Sequence, residues 1–354
     1  MASKLARPFR RLTLMASFMR FSLGLVVLLV LLVAAGSAYE ALSRRWAEVK
    51  FPPAGRLVDI GGRKIHLDCR GQGSPTVIFE AGLDSYGALS WTKVHDSVAA
   101  VTRACAYDRA GIMWSEPKST PQHADAVADD LHAVLTTAGE KGPFVLVAHS
   151  LGGPYSMAYT RKFGDQVVGL VFVDASHPDQ VARFAEVADA PSDSTSEVLK
   201  TASSLAWTGI IRLMASSDGE PGVPAYVTEQ VKAFVSPSLT AVVSENTNID
   251  RTLAEAGNLR TLGNRPLVVL TAMEPLSDAS LKAESRREDT RRLDVWRKLQ
   301  EDEASWSTRS RHQLLPDSGH YIQFTRPDAV IAAIIEVVNK LRLENVEVGN
   351  ILSR

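Results

Sequence analysis

The sequence predicts an α/β protein built on a mostly parallel sheet with helices on both faces, and three observations predict it. Eight apolar segments rich in β-branched residues recur along the chain, several of them nearly continuous, as strands buried on both faces require. Helix-periodic stretches lie between them, so strand and helix alternate after an antiparallel start. The run Phe144–Pro154, FVLVAHSLGGP, carries an apolar strand directly into a serine and then a helix.

The first segments, GRLVDI and KIHLDC, are joined by Gly61-Gly62 and read as a hairpin. PTVIFEAG, TRACAYDRAG, PFVLVAHS, VVGLVFVDAS, RPLVVLTAM and RHQLLPDSGH follow and complete eight strands. Among the intervening helices, Ala124–Ala138 sets Val127, Leu131, Val134 and Leu135 on one side, and Asp328–Leu341 closes the core in the same way. The interval 178–264 breaks the alternation. It contains no strand pattern, and its helical stretches, Ser196–Met214 and Val227–Phe234, are divided by DAPSDS, SSDGEPGVP and SPS. Open α/β sheets bind ligands at the carboxyl ends of their strands, so an insertion there is expected to form a helical lid. The apolar positions Leu205, Trp207, Ile210, Ile211 and Met214 either line an acyl pocket or pack within that lid.

At 354 residues and 45% hydrophobic composition, the chain can form one large catalytic core; a net charge of -1 gives no electrostatic footprint for nucleic acid. Its front differs from the rest. Residues 1–20 carry Lys4, Arg7, Arg10, Arg11 and Arg20 without an acid, and the apolar run Phe21–Ala38 follows. About 18–20 such residues span a bilayer as a helix, and the basic flank stays on the cytoplasmic side. The expected organisation is a basic N-terminus at 1–20, an anchor at 21–39, a juxtamembrane linker at 40–54, core at 55–177 and 265–342, the lid at 178–264 and a tail at 343–354. A cleaved signal peptide is the rival reading, because Gly36-Ser37-Ala38 resembles a small-residue cleavage site. Either way the catalytic body is exported: as the outer part of a single-pass membrane protein, or secreted if the segment is removed. Cys69 and Cys105 lie in two of the strands, where an exported protein pairs them or buries them as free thiols.

The chemistry centres on Ser150. A nucleophile elbow needs little side-chain volume two residues before and after the serine, and Ala148 and Gly152 meet that need. Serine attacks only when a base takes its proton and a third group orients the base. His320 is the best base, in a polar DSGH loop after the last strand; His149 reads as a packing neighbour and His177 as a weaker alternative. The acid is Asp174, which directly ends VVGLVFVD, with Glu274 and Asp278 after the next strand as alternatives. Backbone N–H groups of Leu151, after the serine, and of Leu83, after Gly82, are placed to hold an oxyanion.

Taken in order, EAGLDSYGALSW, YDRAGIMWS, VLVAHSLGG, FVDASHPDQ and DSGHYIQ make the chain resemble the α/β-hydrolase superfamily, in particular its exported or membrane-anchored bacterial-type branch, from about Gly55 to Leu341. The resemblance implies the α/β-hydrolase fold, with Ser150 as nucleophile, His320 as base and an acid after the sixth strand, which matches Asp174. It is specific to the superfamily and not to a substrate; the serine, base and acid themselves point to a small-molecule carboxylic ester or related acyl compound and require no metal or organic cofactor. Ala81-Gly82 stands where His-Gly is common in the wider family, which leaves a backbone donor at Leu83 available. Asp108 and Arg109, in YDRAG, match a loop of the family and are expected to brace that loop by hydrogen bonds rather than to react.

If the N-terminal segment is an anchor, N-terminal sequencing of the mature protein will find Met1 or Ala2, in the membrane fraction. A protein beginning at Tyr39 would show cleavage instead.

Overall fold

The computed structural model describes residues 6–187, 194–215, 220–275 and 283–352. Eight strands form one sheet: β1 (Arg56–Asp59), β2 (Lys64–Arg70), β3 (Thr76–Glu80), β4 (Ala104–Tyr107), β5 (Phe144–His149), β6 (Val167–Val173), β7 (Leu267–Ala272) and β8 (Ser310–Leu315). Their order is β1-β2-β4-β3-β5-β6-β7-β8. β2 pairs antiparallel with β1 and with β4, and all later pairings are parallel.

β5 shows why the apolar runs become central strands. Successive side chains leave a strand on opposite faces, and here both faces are covered. Phe144, Leu146 and Ala148 enter a core shared with the helices Ala124–Ala138 and Gly152–Phe163. Val145 and Val147 enter a second core with Val330, Ile334 and Val337 of the C-terminal helix. The chain goes from β3 outward to β4 and returns across β3 to β5, so the direction of winding reverses between β3 and β5. At such a reversal the loops leaving the two strands diverge to opposite faces and open a crevice. The Gly82 turn follows one strand and Ser150 the other.

Three regions depart from the sequence-based expectations. Residues 40–50 are not a linker: one uninterrupted helix runs Ala6–Lys50, because the first helix breaker after the apolar run is Pro52-Pro53. Its segment Met15–Lys50 has the length and composition to cross a membrane, and the apolar window is unburied. The expected tail at 343–354 is likewise helical as far as Leu352, since no glycine or proline intervenes until Gly349. The Ser196–Met214 helix is divided into Ser194–Ser204, a short turn and Ile210–Met214, with Gly209 at φ 76° interrupting it. The remainder of the 178–264 insertion holds the helices Gln180–Ala185, Ala225–Ala233, Val235–Thr247 and Ile249–Ala256, and contains no strand among the described residues.

Cys69 and Cys105 stand directly opposite each other on β2 and β4 and are joined as a disulfide. They are the chain's only cysteines. Thiol labelling of the protein, unfolded without reductant, is therefore expected to find no free thiol; labelling of both positions would exclude the bridge.

Candidate active site

Ser150 and Asp174 are brought together by register. His149 at the end of β5 pairs with Val173 at the end of β6, so the next residue of each strand emerges side by side at the carboxyl edge. Both turn sharply there: Ser150 has φ 52° and Asp174 φ 48°, a left-handed conformation that costs a non-glycine residue on the order of 1–3 kcal/mol. Backbone hydrogen bonds hold the two corners against that cost. The Ser150 carbonyl accepts from Gly153 at 2.9 Å and from Ser176 at 2.8 Å, and the Asp174 N–H donates to Leu270 at 2.8 Å. Gly152 is required by contact, since a Cβ there would lie 2.5 Å from the Glu80 carbonyl oxygen.

His320 arrives from the loop after β8 and reaches across β7. Its Nδ1 donates to Asp174 Oδ2 at 2.6 Å. The other carboxylate oxygen, Oδ1, accepts from the Ala272 N–H at 2.9 Å and from the Trp296 indole N–H at 2.8 Å. The ring is held from below by His149, whose Nε2 donates to the His320 carbonyl at 3.0 Å and whose ring centroid lies 4.6 Å from that of His320. Burial keeps His149 neutral, with its pKa well below the ordinary 6.5, helped by repulsion from His320. For His320 burial also opposes protonation, but the hydrogen bond and charge of Asp174 outweigh it and raise the pKa above 6.5.

Ser150, Asp174 and His320 all line one cavity of about 300 Å³. Phe184, Leu293 and Trp296 give it apolar walls, and Glu274 and Arg292 stand in it as well. Glu274 lies beside Gly319 without a bond to His320, whose Nδ1 is engaged by Asp174. Asp278 falls outside the described residues. His177 is buried away from the cavity, donating from Nε2 to Asp302 at 2.9 Å and accepting at Nδ1 from the Asp179 N–H at 3.0 Å. Leu205, Trp207, Ile210, Ile211 and Met214 do not line the cavity, and all but the half-buried Ile211 are exposed rather than packed.

The Gly82 turn closes over the serine. A Cβ on Gly82 would lie 2.9 Å from Ser150 Cβ and 2.8 Å from His149 Nδ1, so only glycine allows this approach. The N–H groups of Leu83 and Leu151 donate to no acceptor among the described residues. Arg109 holds the turn in place. Its Nη1 donates to the Ala81 carbonyl at 2.8 Å and its Nη2 to the Gly82 carbonyl at 2.6 Å. The same guanidinium binds Glu80 at 2.9 Å and takes both oxygens of Glu245, from the insertion, at 2.8 Å each. It also lies over the Tyr155 ring, 4.8 Å from the centroid. Burial pushes the Glu80 carboxyl up to about 7, against the pull of Arg109 and of the Tyr107 hydroxyl that donates to it. Asp108 braces the segment beyond by accepting from the Ala88 N–H at 2.7 Å and from His66 Nδ1 at 2.8 Å.

Trp296 and Glu245 are site-supporting residues that no sequence motif marks, whereas His149, within the elbow motif, takes the packing place expected of it, against the His320 ring.

With this geometry in hand, comparison with known proteins places the chain in a class. A sequence profile of the Alpha/beta hydrolase family matches residues 29–333, and the chain belongs to that family. It is 25% identical over 289 residues to an AB hydrolase superfamily protein of Gibberella zeae, covering 76% of this chain and 87% of that one. It is 43% identical over 74 residues to an uncharacterized protein of Schizosaccharomyces pombe, a match to 21% of this chain and only 14% of that protein's length. Among solved structures it is similar to a thermophilic esterase of Thermogutta terrifontis, at 20% identity and a TM-score of 0.56, covering 80% of this chain and 97% of that one. That likeness is one of fold.

Replacing Arg109 by alanine leaves Glu80 and Glu245 buried without their shared cation. Breaking a buried pair in this way costs about 3–5 kcal/mol, and chemical denaturation is expected to register a loss of that size. An unchanged unfolding midpoint would refute the bracing role.

Proposed function

We propose that the protein is a serine hydrolase cleaving a carboxylic ester or related acyl bond through an acyl-enzyme. The observation that carries this reading is the 2.6 Å contact from His320 Nδ1 to Asp174, with Ser150 lining the same cavity. In this mechanism His320 Nε2 takes the proton of the Ser150 hydroxyl as its oxygen attacks the substrate carbonyl. The negative charge that develops on the carbonyl oxygen is met by the N–H groups of Leu83 and Leu151. His320 then returns the proton to the leaving alcohol, which departs as the carbonyl reforms. Water, deprotonated by the same imidazole, attacks the acyl-enzyme and releases the acid. Asp174 fixes the ring and stabilises its charged form, and the Ala272 and Trp296 donors fix Asp174.

The 178–264 insertion acts as the lid in this reading. The N-terminal helix acts as a single-pass anchor with its N-terminus cytoplasmic, so that the catalytic domain faces the exported side of the membrane.

The test is labelling with a fluorophosphonate and turnover of acyl esters from short to long. Labelling is expected to vanish in Ser150→Ala. A folded wild-type protein that neither labels nor hydrolyses any ester, amide or lactone would move the scaffold into the class of binding proteins; preference for an amide, a lactone or an acyl acceptor other than water would redirect the assignment within the same mechanism.

The acid is tested separately. Asp174→Asn is expected to lower turnover about 10³–10⁴-fold, whereas Glu274→Gln changes it little; the reverse result would transfer the role. His320 must be neutral to act as base, and its pKa is raised above 6.5, so activity is expected to rise with pH through an inflection above 6.5. Trp296→Phe removes one hydrogen bond to Asp174, and is expected to lower kcat more than it alters KM.

A further inference from the structure

The apolar residues at the front of the insertion serve neither the cavity nor the core. Leu205, Trp207, Ile210, Leu213 and Met214 are each 42–75% exposed. The positions between them turn inward: Ala206 is buried, and so is Arg212. The segment therefore has an inner face bonded to the protein and an outer face that the described residues leave apolar and exposed.

Its place in the fold identifies what covers it. The backbone at Thr208-Gly209 packs directly against Gly36 and Tyr39 of the N-terminal helix, where the apolar run Phe21–Ala38 ends. The junction is locked by a buried ion pair. Arg212 donates from Nε to Glu40 Oε2 at 2.9 Å and from Nη2 to Oε1 at 3.0 Å, its Nη1 donates to the Ala233 carbonyl at 2.6 Å, and the Ser236 hydroxyl donates to Glu40 at 3.0 Å. The segment is thus fixed at the level where the helix leaves its apolar stretch. Tryptophan and large aliphatic side chains at that level are what a bilayer interface accommodates, and a polar inner face opposite an apolar outer one is the arrangement of an element lying in the interface plane. On the helix itself, Tyr39, Leu42 and Trp46 continue the exposed apolar surface beyond the junction.

We infer that the 205–214 segment is a second membrane-contacting element, seated in the phospholipid interface beside the exit of the N-terminal helix. The occupant of its apolar face is the bilayer that the helix enters. The inference rests on reading that helix as a membrane span, and the two are separable by experiment.

Single cysteines replace Leu28, in the apolar run, Leu213, in the segment, and Leu343, exposed on the C-terminal helix near the amino ends of the strands. Each full-length variant, its Cys69–Cys105 bridge intact, is labelled with an environment-sensitive fluorophore. It is then reconstituted into phosphatidylcholine–phosphatidylglycerol vesicles with and without nitroxide-bearing lipid. Hydrolysis of a water-soluble ester, or fluorophosphonate labelling, checks that each variant is folded. The expected result is strong lipid quenching at positions 28 and 213, with quenching at 213 at least threefold that at 343. Quenching at 28 with position 213 behaving like 343 overturns the inference and leaves the span intact. Absence of quenching at 28 removes the span and the inference with it. A label at 213 that is shielded from water, unquenched by lipid and crosslinked to a second copy makes the surface a dimer interface, which also overturns it.

Discussion

The Arg109 guanidinium is the fixed point on which the site's geometry depends. It joins three stretches that are distant in sequence: the end of β3 with the Gly82 turn that follows it, through Glu80 and two carbonyls, the insertion through Glu245, and the helix after Ser150 through the Tyr155 ring. Arginine suits this position because its planar fork presents five donors at once and its charge persists on burial. Two buried carboxylates compensate one buried cation, and the second is tolerable because burial raises the pKa of Glu80 and the Tyr107 hydroxyl shares its charge. A hydrophobic replacement could fill the same volume. It could not turn the Ala81 and Gly82 carbonyls toward the protein interior, and that orientation fixes the path of the chain through Leu83.

A second constraint is topological. Because the winding reverses between β3 and β5, the turn after β3 and the elbow after β5 meet over the same crevice. Parallel register then sets Asp174 beside Ser150, one strand along, and His320 has only β7 to cross. The left-handed corners at Ser150 and Asp174 are consequences of the same requirement, since each strand must end abruptly for its last side chain to stand at the sheet edge. The strain is local, and the close contacts of Gly82 and Gly152 show how tightly the neighbouring backbone is packed to hold it.

The sheet was legible because its central strands are buried on both faces and therefore nearly continuous in apolar residues, a signal that survives without any knowledge of partners. Ser150 and Asp174 were legible for a related reason: each directly abuts such a strand, so locating the strand locates the residue. His320 could be read from its place after the last strand. Trp296 could not. It lies on the Ala283–Ser305 helix, whose composition is strongly charged and whose inward face includes the buried polar residues Gln300 and Glu303, so its apolar periodicity is faint. Glu245 was hidden by distance, because nothing local to the insertion indicates that one of its glutamates meets an arginine 136 positions earlier. The continuation of the N-terminal helix to Lys50 was hidden by a change of composition without a breaker: polarity rises after Ala38, but no helix breaker comes before Pro52.

That continuation alters how the two ends of the molecule relate. With a flexible linker at 40–54, the α/β core would move independently of the N-terminal segment. A rigid helix bonded at Glu40 to Arg212 does not allow this. The orientation of the helix becomes the orientation of the insertion, and Glu245 carries that coupling to Arg109 and the Gly82 turn. Removing one partner of a buried pair leaves the other as an uncompensated charge, so the Glu40–Arg212 contact resists separation more strongly than an exposed pair would. In a protein anchored by this helix, the direction from which substrate reaches Ser150 would be set by the same buried bonds that fix the insertion on the core.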